Sequence, residues 1–392
     1  MKKLGIILLV FLVIFAGIIY YFRFEIFQHS AEAIVRKNLP PYVTVQNILF
    51  NLKEDLLEVK GLGIKNPKGY RAKDLATVGS ITCRYKMKGK NILDGIKVTE
   101  IVTRGFVINI ERLPDGRLNI NEMDKVMETG KKAGDSKVKA PGKEGGKSAF
   151  GKDISDIIEL TKTIDIRDGR VVFTDEAVTS PPYTLTFDNI NGQLDLTLAG
   201  DYRSVNYVSS RGGGVLNGDP SQRINWVVSL DPKKERLTMS NRYEVSDLNV
   251  LLFRPYYDRY SPIDIKKCRV SGTLVFDFNS GNIGSMNTLR LSDLRFEVKR
   301  DASGVGFWEA SIPEIIEYLR TSSGEIVFDF KIKGDMNNPR FYPGPHLKQA
   351  IQMKVVDTIA DALAPKEEGQ GGVAGKSDAE QVVDVFRELL KR

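Results

Sequence analysis

Apolar and polar residues alternate with period two along most of this chain, which predicts strands with one oily face and one wet face. Phe106, Ile108 and Ile110 alternate with Val107, Asn109 and Glu111, and Leu185 and Phe187 with Thr184, Thr186 and Asp188. Leu194, Leu196 and Leu198 alternate with Asp195 and Thr197; Val270, Leu274, Phe276 and Phe278 share one parity; Ile326, Phe328, Phe330 and Ile332 face away from Asp329, Lys331 and Lys333. Parallel strands buried between helices would read as continuous apolar runs, so the alternation predicts a mainly β fold built on antiparallel sheet. Pro114-Asp115-Gly116, Asp168-Gly169, Asn191-Gly192, Asn279-Ser280-Gly281 and Ser323-Gly324 carry turn chemistry and are expected between strands, with hairpins as the connectors.

Helical patterns are few. The run Leu4 to Phe22 is apolar throughout, and nineteen residues at 1.5 Å each span about 28 Å, close to the hydrocarbon core of a bilayer. Leu4, Phe11, Phe15, Tyr20, Tyr21 and Phe22 belong to this anchor, and the two tyrosines suit an interfacial aromatic belt. The run has no small-x-small cleavage pattern, which favours an uncleaved anchor over residues 1–28 rather than a signal peptide. Lys2 and Lys3 place its start in the cytoplasm and the rest of the chain across the membrane, and no second run of this kind follows, so the protein is expected to cross once. Short helices are expected over Ser30 to Leu39, Asp247 to Tyr257 and Pro313 to Arg320. Leu347, Ile351, Val355, Ile359 and Leu363 form one stripe on an amphipathic helix over 345–364. A flexible tail, 365–392, then carries a small helix with Val382, Val383, Phe386, Leu389 and Leu390 on its apolar side.

Charge sharpens the organisation. The formal net charge is +7, and seven lysines between Lys131 and Lys152 against Asp135 and Glu144 place most of that excess in one stretch rich in glycine. Residues 127–152 therefore read as a disordered linker that separates a β region at 29–126 from its remainder at 153–344. With the positive charge confined there, nucleic-acid binding by the body is disfavoured.

The two cysteines, Cys83 and Cys268, share strand parity with apolar neighbours and read as small buried residues; spacing does not decide whether they are bonded. His29 and His346 have no evident partner, and no zinc spacing, phosphate-cradling glycine loop or nucleophile elbow is present. The sequence thus offers no catalytic residue, no metal ligand set and no cofactor motif, and a non-enzymatic protein is expected. A loose repetition links Ile164-Asp165-Ile166-Arg167-Asp168-Gly169-Arg170-Val171 to Ile263-Asp264-Ile265-Lys266-Lys267-Cys268-Arg269-Val270.

Several stretches, in order, resemble the AsmA-like family of bacterial envelope proteins, which includes the relatives of TamB. They are the N-terminal anchor; Leu62 to Tyr70, with its Asn66-Pro67-Lys68-Gly69-Tyr70; Val107 to Arg112 with Asp115-Gly116-Arg117-Leu118-Asn119; Ile166 to Asp175; and Gly334 to Phe341 followed by the amphipathic helix. The resemblance covers most of Met1 to Ala364 and rests on order rather than on any single specific motif. It implies an inner-membrane anchor, an elongated, curved, taco-shaped antiparallel sheet in the periplasm, and a role in moving phospholipid or maintaining the outer membrane.

Under that reading Phe106, Ile108, Ile110, Leu185, Phe187, Leu194, Leu196, Leu198, Leu274, Phe276, Phe278, Ile326, Phe328 and Phe330 line a groove for acyl chains. The alternative is a closed β-sandwich core in a scaffold that binds other envelope proteins. Periodicity alone does not separate an open groove from a packed core.

Overall fold

The computed structural model describes residues 39–51, 54–89, 96–123, 158–159, 163–198, 205–261, 263–299, 316–350 and 352–353. The expected anchor, the linker at 127–152, most of the helix at Ser30 to Leu39 and the tail at 365–392 lie outside the described residues. Among the described residues no helix is long and apolar enough to cross a membrane. The chain is mainly β and divides into two compact units, Met1–Leu248 with Val275–Asn282, and Asn249–Leu274 with Ile283–Arg392.

Unit one is built from β1 (Val43–Thr44), β2 (Asn47–Asn51), β3 (Leu56–Lys65), β4 (Asp74–Met87), β5 (Ile96–Arg112), β6 (Ile158–Glu159), β7 (Thr163–Asp175), β8 (Tyr183–Leu198), β9 (Val205–Leu216), β10 (Arg223–Leu230) and β11 (Met239–Asn249). They hydrogen-bond in the order β1, β3, β4, β5, β7, β8, β9, β10, β11, with β2 beside β3 and β6 beside β5. The antiparallel expectation holds except beside β5, which pairs in parallel with both β6 and β7. β5 and β7 run parallel, Val102 opposite Asp165 through Arg112 opposite Asp175. A parallel neighbour cannot be reached by a hairpin and needs a crossover of a dozen or more residues, which the chain between Arg112 and Thr163 supplies.

Two of the expected turns are corrected. Asp168-Gly169 lies inside β7 and Asn191-Gly192 inside β8, where the pairing register slips. Asp168 (φ 54°) and Asn189 (φ 52°) take the left-handed conformation there, and the Asp168 amide donates to Asn191 Oδ1 at 3.2 Å, joining the two bulges. The residues that make a tight turn are those that tolerate positive φ, and a bulge draws on the same set. Gly61 (φ 61°) on β3 and Gly105 (φ 62°) on β5 sit at the neighbouring register positions, so a line of irregularities crosses β3 to β8.

At one side of unit one the apolar faces close into a core of Val43, Ile48, Leu57, Val59, Ile81 and Cys83, reaching Ile164 and Leu196. The motifs that carried the family resemblance meet beside it. Asn119, fully buried, accepts from the amides of Glu111 (3.0 Å) and Ile120 (2.9 Å) and donates to Asn109 O (2.7 Å) and Asn66 Oδ1 (3.0 Å). Glu111, 3% exposed, accepts from Asn66 Nδ2 and from the amides of Arg71 and Ala72 at 2.7 to 2.9 Å. These residues tie two loops to the end of β5, a sufficient reason for the Asn-Pro-x-Gly and Asp-Gly-x-x-Asn patterns.

Unit two contains most of β12 (Ile263–Asn279, the residues from Val275 belonging to unit one), β13 (Asn282–Ser285), β14 (Asn287–Val298), β15 (Ile326–Asp335) and β16 (Arg340–Pro343). β14 pairs with β12 and β15, and β16 with β15. The loose sequence repetition becomes a structural one. Val171 opposite Phe187, Ile166 opposite Gly192 and Ile164 opposite Leu194 in β7 and β8 correspond to Val270 opposite Leu291, Ile265 opposite Phe296 and Ile263 opposite Val298 in β12 and β14. Both pairs slip register in the same stretch, and Asp293 (φ 55°) stands where Asn189 stands.

The helix expected at Asp247 to Tyr257 begins later. Asp247 (φ 52°) still belongs to β11, and helical turns run from Val250–Phe253 through Arg254–Tyr257 to Asp258–Tyr260, opened by Asn249 Oδ1 accepting from the Leu251 amide at 3.1 Å. Of the helix expected at Pro313 to Arg320, residues 316–320 are described; 316–318 are helical, but Leu319 lies in a turn and Arg320 forms a bridge to Ile326, so the helix ends earlier than expected. The terminal helix is described over 345–350 and 352–353, with Leu347 and Ala350 buried against Leu319, Ile326 and Phe328.

His346 does have a partner, contrary to the sequence reading: its Nδ1 lies 3.2 Å from Asp329 Oδ2. The Asp329 carboxylate also accepts from the amides of Leu347 (3.1 Å) and His346 (3.4 Å), so a strand residue holds the start of the helix. Burial pushes the Asp329 carboxyl up, but the Leu347 amide and the His346 ring and amide outweigh it and hold it below the ordinary carboxylate range. A lowered folded-state value stabilises docking above the ordinary range near pH 4, and that contribution is lost as pH falls through the lowered value. The protection of the amides at 345–350 and 352–353, measured against the intrinsic exchange rate at each pH, should therefore fall below about pH 4. Asp329→Asn should lose protection already at neutral pH and lose the acid dependence of that protection; an unchanged acid profile of protection in that variant would assign the effect elsewhere.

Candidate functional site: an apolar sheet face

Residues directly opposite in a ladder point to the same side of the sheet, so the pairings fix which side chains share a face. In unit one Ala76 and Val78 lie opposite Ile108 and Phe106; Ile108 and Ile110 opposite Val171 and Phe173; and these two opposite Phe187 and Leu185. Phe187 lies opposite Leu216, and the β9 positions of that parity lie opposite Ile224, Trp226, Val228 and Leu230, which in turn lie opposite Val245, Tyr243, Asn241 and Met239. One face therefore runs apolar across β4 to β11. The other carries Arg104, Arg211, Arg223, Arg242 and Glu244, all exposed.

The sequence-derived candidates divide between two environments. Phe106, Ile108, Ile110, Leu185, Phe187 and Leu194 share this face and are half-buried. Leu196 shares it too but is buried in the closed core, where Leu194 also packs. Leu198 has its backbone described but not its side chain. Phe276 and Phe278 are half-buried on the part of β12 that belongs to unit one.

In unit two, Leu274, Ile326, Phe328 and Phe330 share one face through Gly272, Leu289 and Leu291. Ile326 is 1% exposed and fills the small core under the terminal helix, so it does not face open space. Phe328, Phe330 and Phe341 follow one another at ring separations of 5.5 and 5.4 Å, and Phe341 ends the series 55% exposed.

Glycines form the floor under the rings of unit one. The Phe106 ring lies against Gly169, Phe187 against Gly214 and Trp226 against Gly212; a Cβ on these glycines would meet ring atoms at 2.0, 2.8 and 2.6 Å. Phe187 and Trp226 meet edge to face at 6.0 Å. The indole Nε1 of Trp226 donates to Ser210 Oγ at 3.0 Å. At one margin the face ends in polar residues, Arg112 Nε lying 3.1 Å from the fully buried Asp175. Burial pushes the Tyr183 and Tyr243 phenols above their ordinary value, so both stay neutral.

The sequence reading missed β9 to β11 and with them Trp226. Ile224, Trp226, Val228 and Leu230 do alternate with Asn225, Val227 and Ser229, and that signal was there to be found.

Cys83 and Cys268 are free and buried, and burial pushes their thiols up to about 12 and about 11. Both are therefore poor nucleophiles. No group of three or more His, Cys, Asp or Glu residues placed to hold a metal occurs among the described residues. No protein-family model and no curated protein matches this chain.

Proposed function

We propose that this is a membrane-anchored protein that binds phospholipid acyl chains on the apolar face of unit one, and that it serves lipid transfer or outer-membrane lipid homeostasis from an anchor in the bacterial inner membrane. The observation that carries the reading is the half-buried apolar face of β5 to β11, continuous across the register and set against a charged opposite face. Each methylene removed from water contributes about 0.8 kcal/mol, so an acyl chain laid along such a face is held without any polar recognition site. The bulges of β7 and β8 support a curved sheet, because each bulge bends its strand and adds local twist. The resemblance to the AsmA-like family supports the same function and the periplasmic placement of the body.

The packed clusters around Leu196 and Ile326 favour a second reading for those parts of the chain, a scaffold that holds protein partners. The two separate on one experiment. Full-length protein purified in detergent should carry phospholipid detectable by mass spectrometry, and Phe106→Asp with Phe187→Asp should lose most of it while keeping the β-type circular dichroism spectrum. Folded wild-type protein without phospholipid would discard the lipid reading; a folded double variant with full lipid would move the binding surface elsewhere.

A further inference from the structure

In unit two, the hairpin of β15 and β16 combines cations that lack counter-charges with exposed hydrocarbon. Lys333 lies directly opposite Arg340, and Lys331, two residues back along β15, lies opposite Tyr342, so the three cations share one side of the sheet. Directly opposite residues have Cβ atoms about 5 Å apart, and next-but-one residues of a strand stand about 7 Å apart. None of the three has an ion-pair partner among the described residues. The nearby carboxylates are engaged: Asp335 accepts from the amide and the side-chain Nδ2 of Asn337, both at 3.0 Å, and Asp329 holds the start of the terminal helix. Like charges set opposite one another repel, so this trio is favoured only when an anion joins it.

The same hairpin carries large apolar side chains in the open. Phe341 projects from its other side, stacked on Phe330 at 5.4 Å and still 55% exposed, and Met336 in the turn is 42% exposed. Among the described residues β16 pairs only with β15 and is an edge strand. Arginine and proline on a four-residue edge keep stray strands away, but that role is opposed, not served, by a bare ring and a bare thioether. A flat surface laid against this edge meets Arg340 on one side, Phe341 on the other and Met336 in the turn before them. The lysines of β15 stand one strand behind and reach past it on their long stems.

We propose that the β15–β16 hairpin is a docking surface for an anionic phospholipid bilayer. It is separate from the acyl-binding face of unit one and does not depend on it. Charge alone fits any polyanion; Phe341 and Met336 select one that has hydrocarbon beneath its phosphates. Each cation beside an anionic leaflet adds attraction that fades within a Debye length, and the apolar side chains add burial at the acyl boundary.

The test holds full-length protein in phosphatidylcholine nanodiscs on beads and offers fluorescent vesicles of phosphatidylcholine, alone or mixed with phosphatidylglycerol. Wild-type protein should capture the anionic vesicles about tenfold or more above the neutral ones at low salt. That margin should vanish at an ionic strength of about 1 M, where the Debye length is about 3 Å. Lys331→Gln, Lys333→Gln and Arg340→Gln together should remove most of it and, since they relieve repulsion, leave the circular dichroism spectrum unchanged. Met336→Ser with Phe341→Ser should weaken capture severalfold, whereas Phe106→Asp with Phe187→Asp should capture as wild type does. Equal capture of the two vesicles by wild-type protein overturns the docking surface. So does a margin that survives the triple substitution, as it would if the lysines between Lys131 and Lys152 supplied it. Capture indifferent to Met336 and Phe341 would leave a general polyanion surface and overturn the bilayer assignment; capture lost with Phe106 and Phe187 would move it to unit one. None of these results bears on whether unit one carries phospholipid, which the mass spectrometry decides.

Discussion

Asn119→Ala should lower the stability of unit one by about 3 kcal/mol, which for a body of this size is a fall in melting midpoint of about 6 to 12 °C. Asn119 is fully buried and serves four groups at once, the amides of Glu111 and Ile120 and the oxygens of Asn109 and Asn66. Alanine keeps the backbone and strands all four partners, each of which costs on the order of 1 to 3 kcal/mol when buried and unpaired. The losses are not additive, because a water molecule in the vacated space would serve some of them. Asp115→Ala, in the same turn but exposed and paired only with Arg117 at the surface, should leave the midpoint where it is. Thermal melts of the two variants side by side separate the lock from the loop. An Asn119→Ala midpoint within about 2 °C of wild type would show that the loops are held by something other than this amide.

Gly212→Val is expected to be at least as damaging and to leave a spectroscopic mark. A Cβ at Gly212 would stand 2.5 Å from Asn191 O, 2.6 Å from the Trp226 ring and 2.9 Å from Gly192 Cα. Two of those three neighbours are backbone and do not yield, so the indole must leave its place and give up its bond to Ser210. Overpacking of this severity costs about 3 kcal/mol or more. The chain has two tryptophans, so in a Trp308→Phe background the emission reports Trp226 alone and should shift to the red as the ring meets water. Gly284→Ala, where nothing lies within 4 Å, is the control for a glycine that supports no ring. An unshifted emission maximum in Gly212→Val would mean that the ring does not depend on the glycine floor.

The strand faces were legible in the sequence because alternation is a local property. Phe106, Ile108 and Ile110 declare their parity within five residues, and the ladder then placed them beside Val171, Phe173, Leu185 and Phe187. Two things were not legible. Asp168-Gly169 and Asn191-Gly192 have the composition of turns, yet they lie within strands beside bulges, where Asp168 and Asn189 take the left-handed backbone that serves a bulge as well as a reversal. Only the partner strand decides between the two. The Gly212-Gly213-Gly214 run looks like a flexible connector, and its role as a floor is set by Phe187 and Trp226 arriving from β8 and β10. The division of the candidates into half-buried and closed positions was equally hidden: Leu196 and Phe187 sit on one strand and share one face, and their fates differ through what packs near each.

The matching register of β7 with β8 and of β12 with β14 has a consequence for how such a molecule changes length. A joint used twice in one chain, with the same slip at the same place, can be copied again without inventing a new fit. Insertion or loss of one such unit would lengthen or shorten the sheet by a whole pair of strands while leaving the pairing of its neighbours as it is.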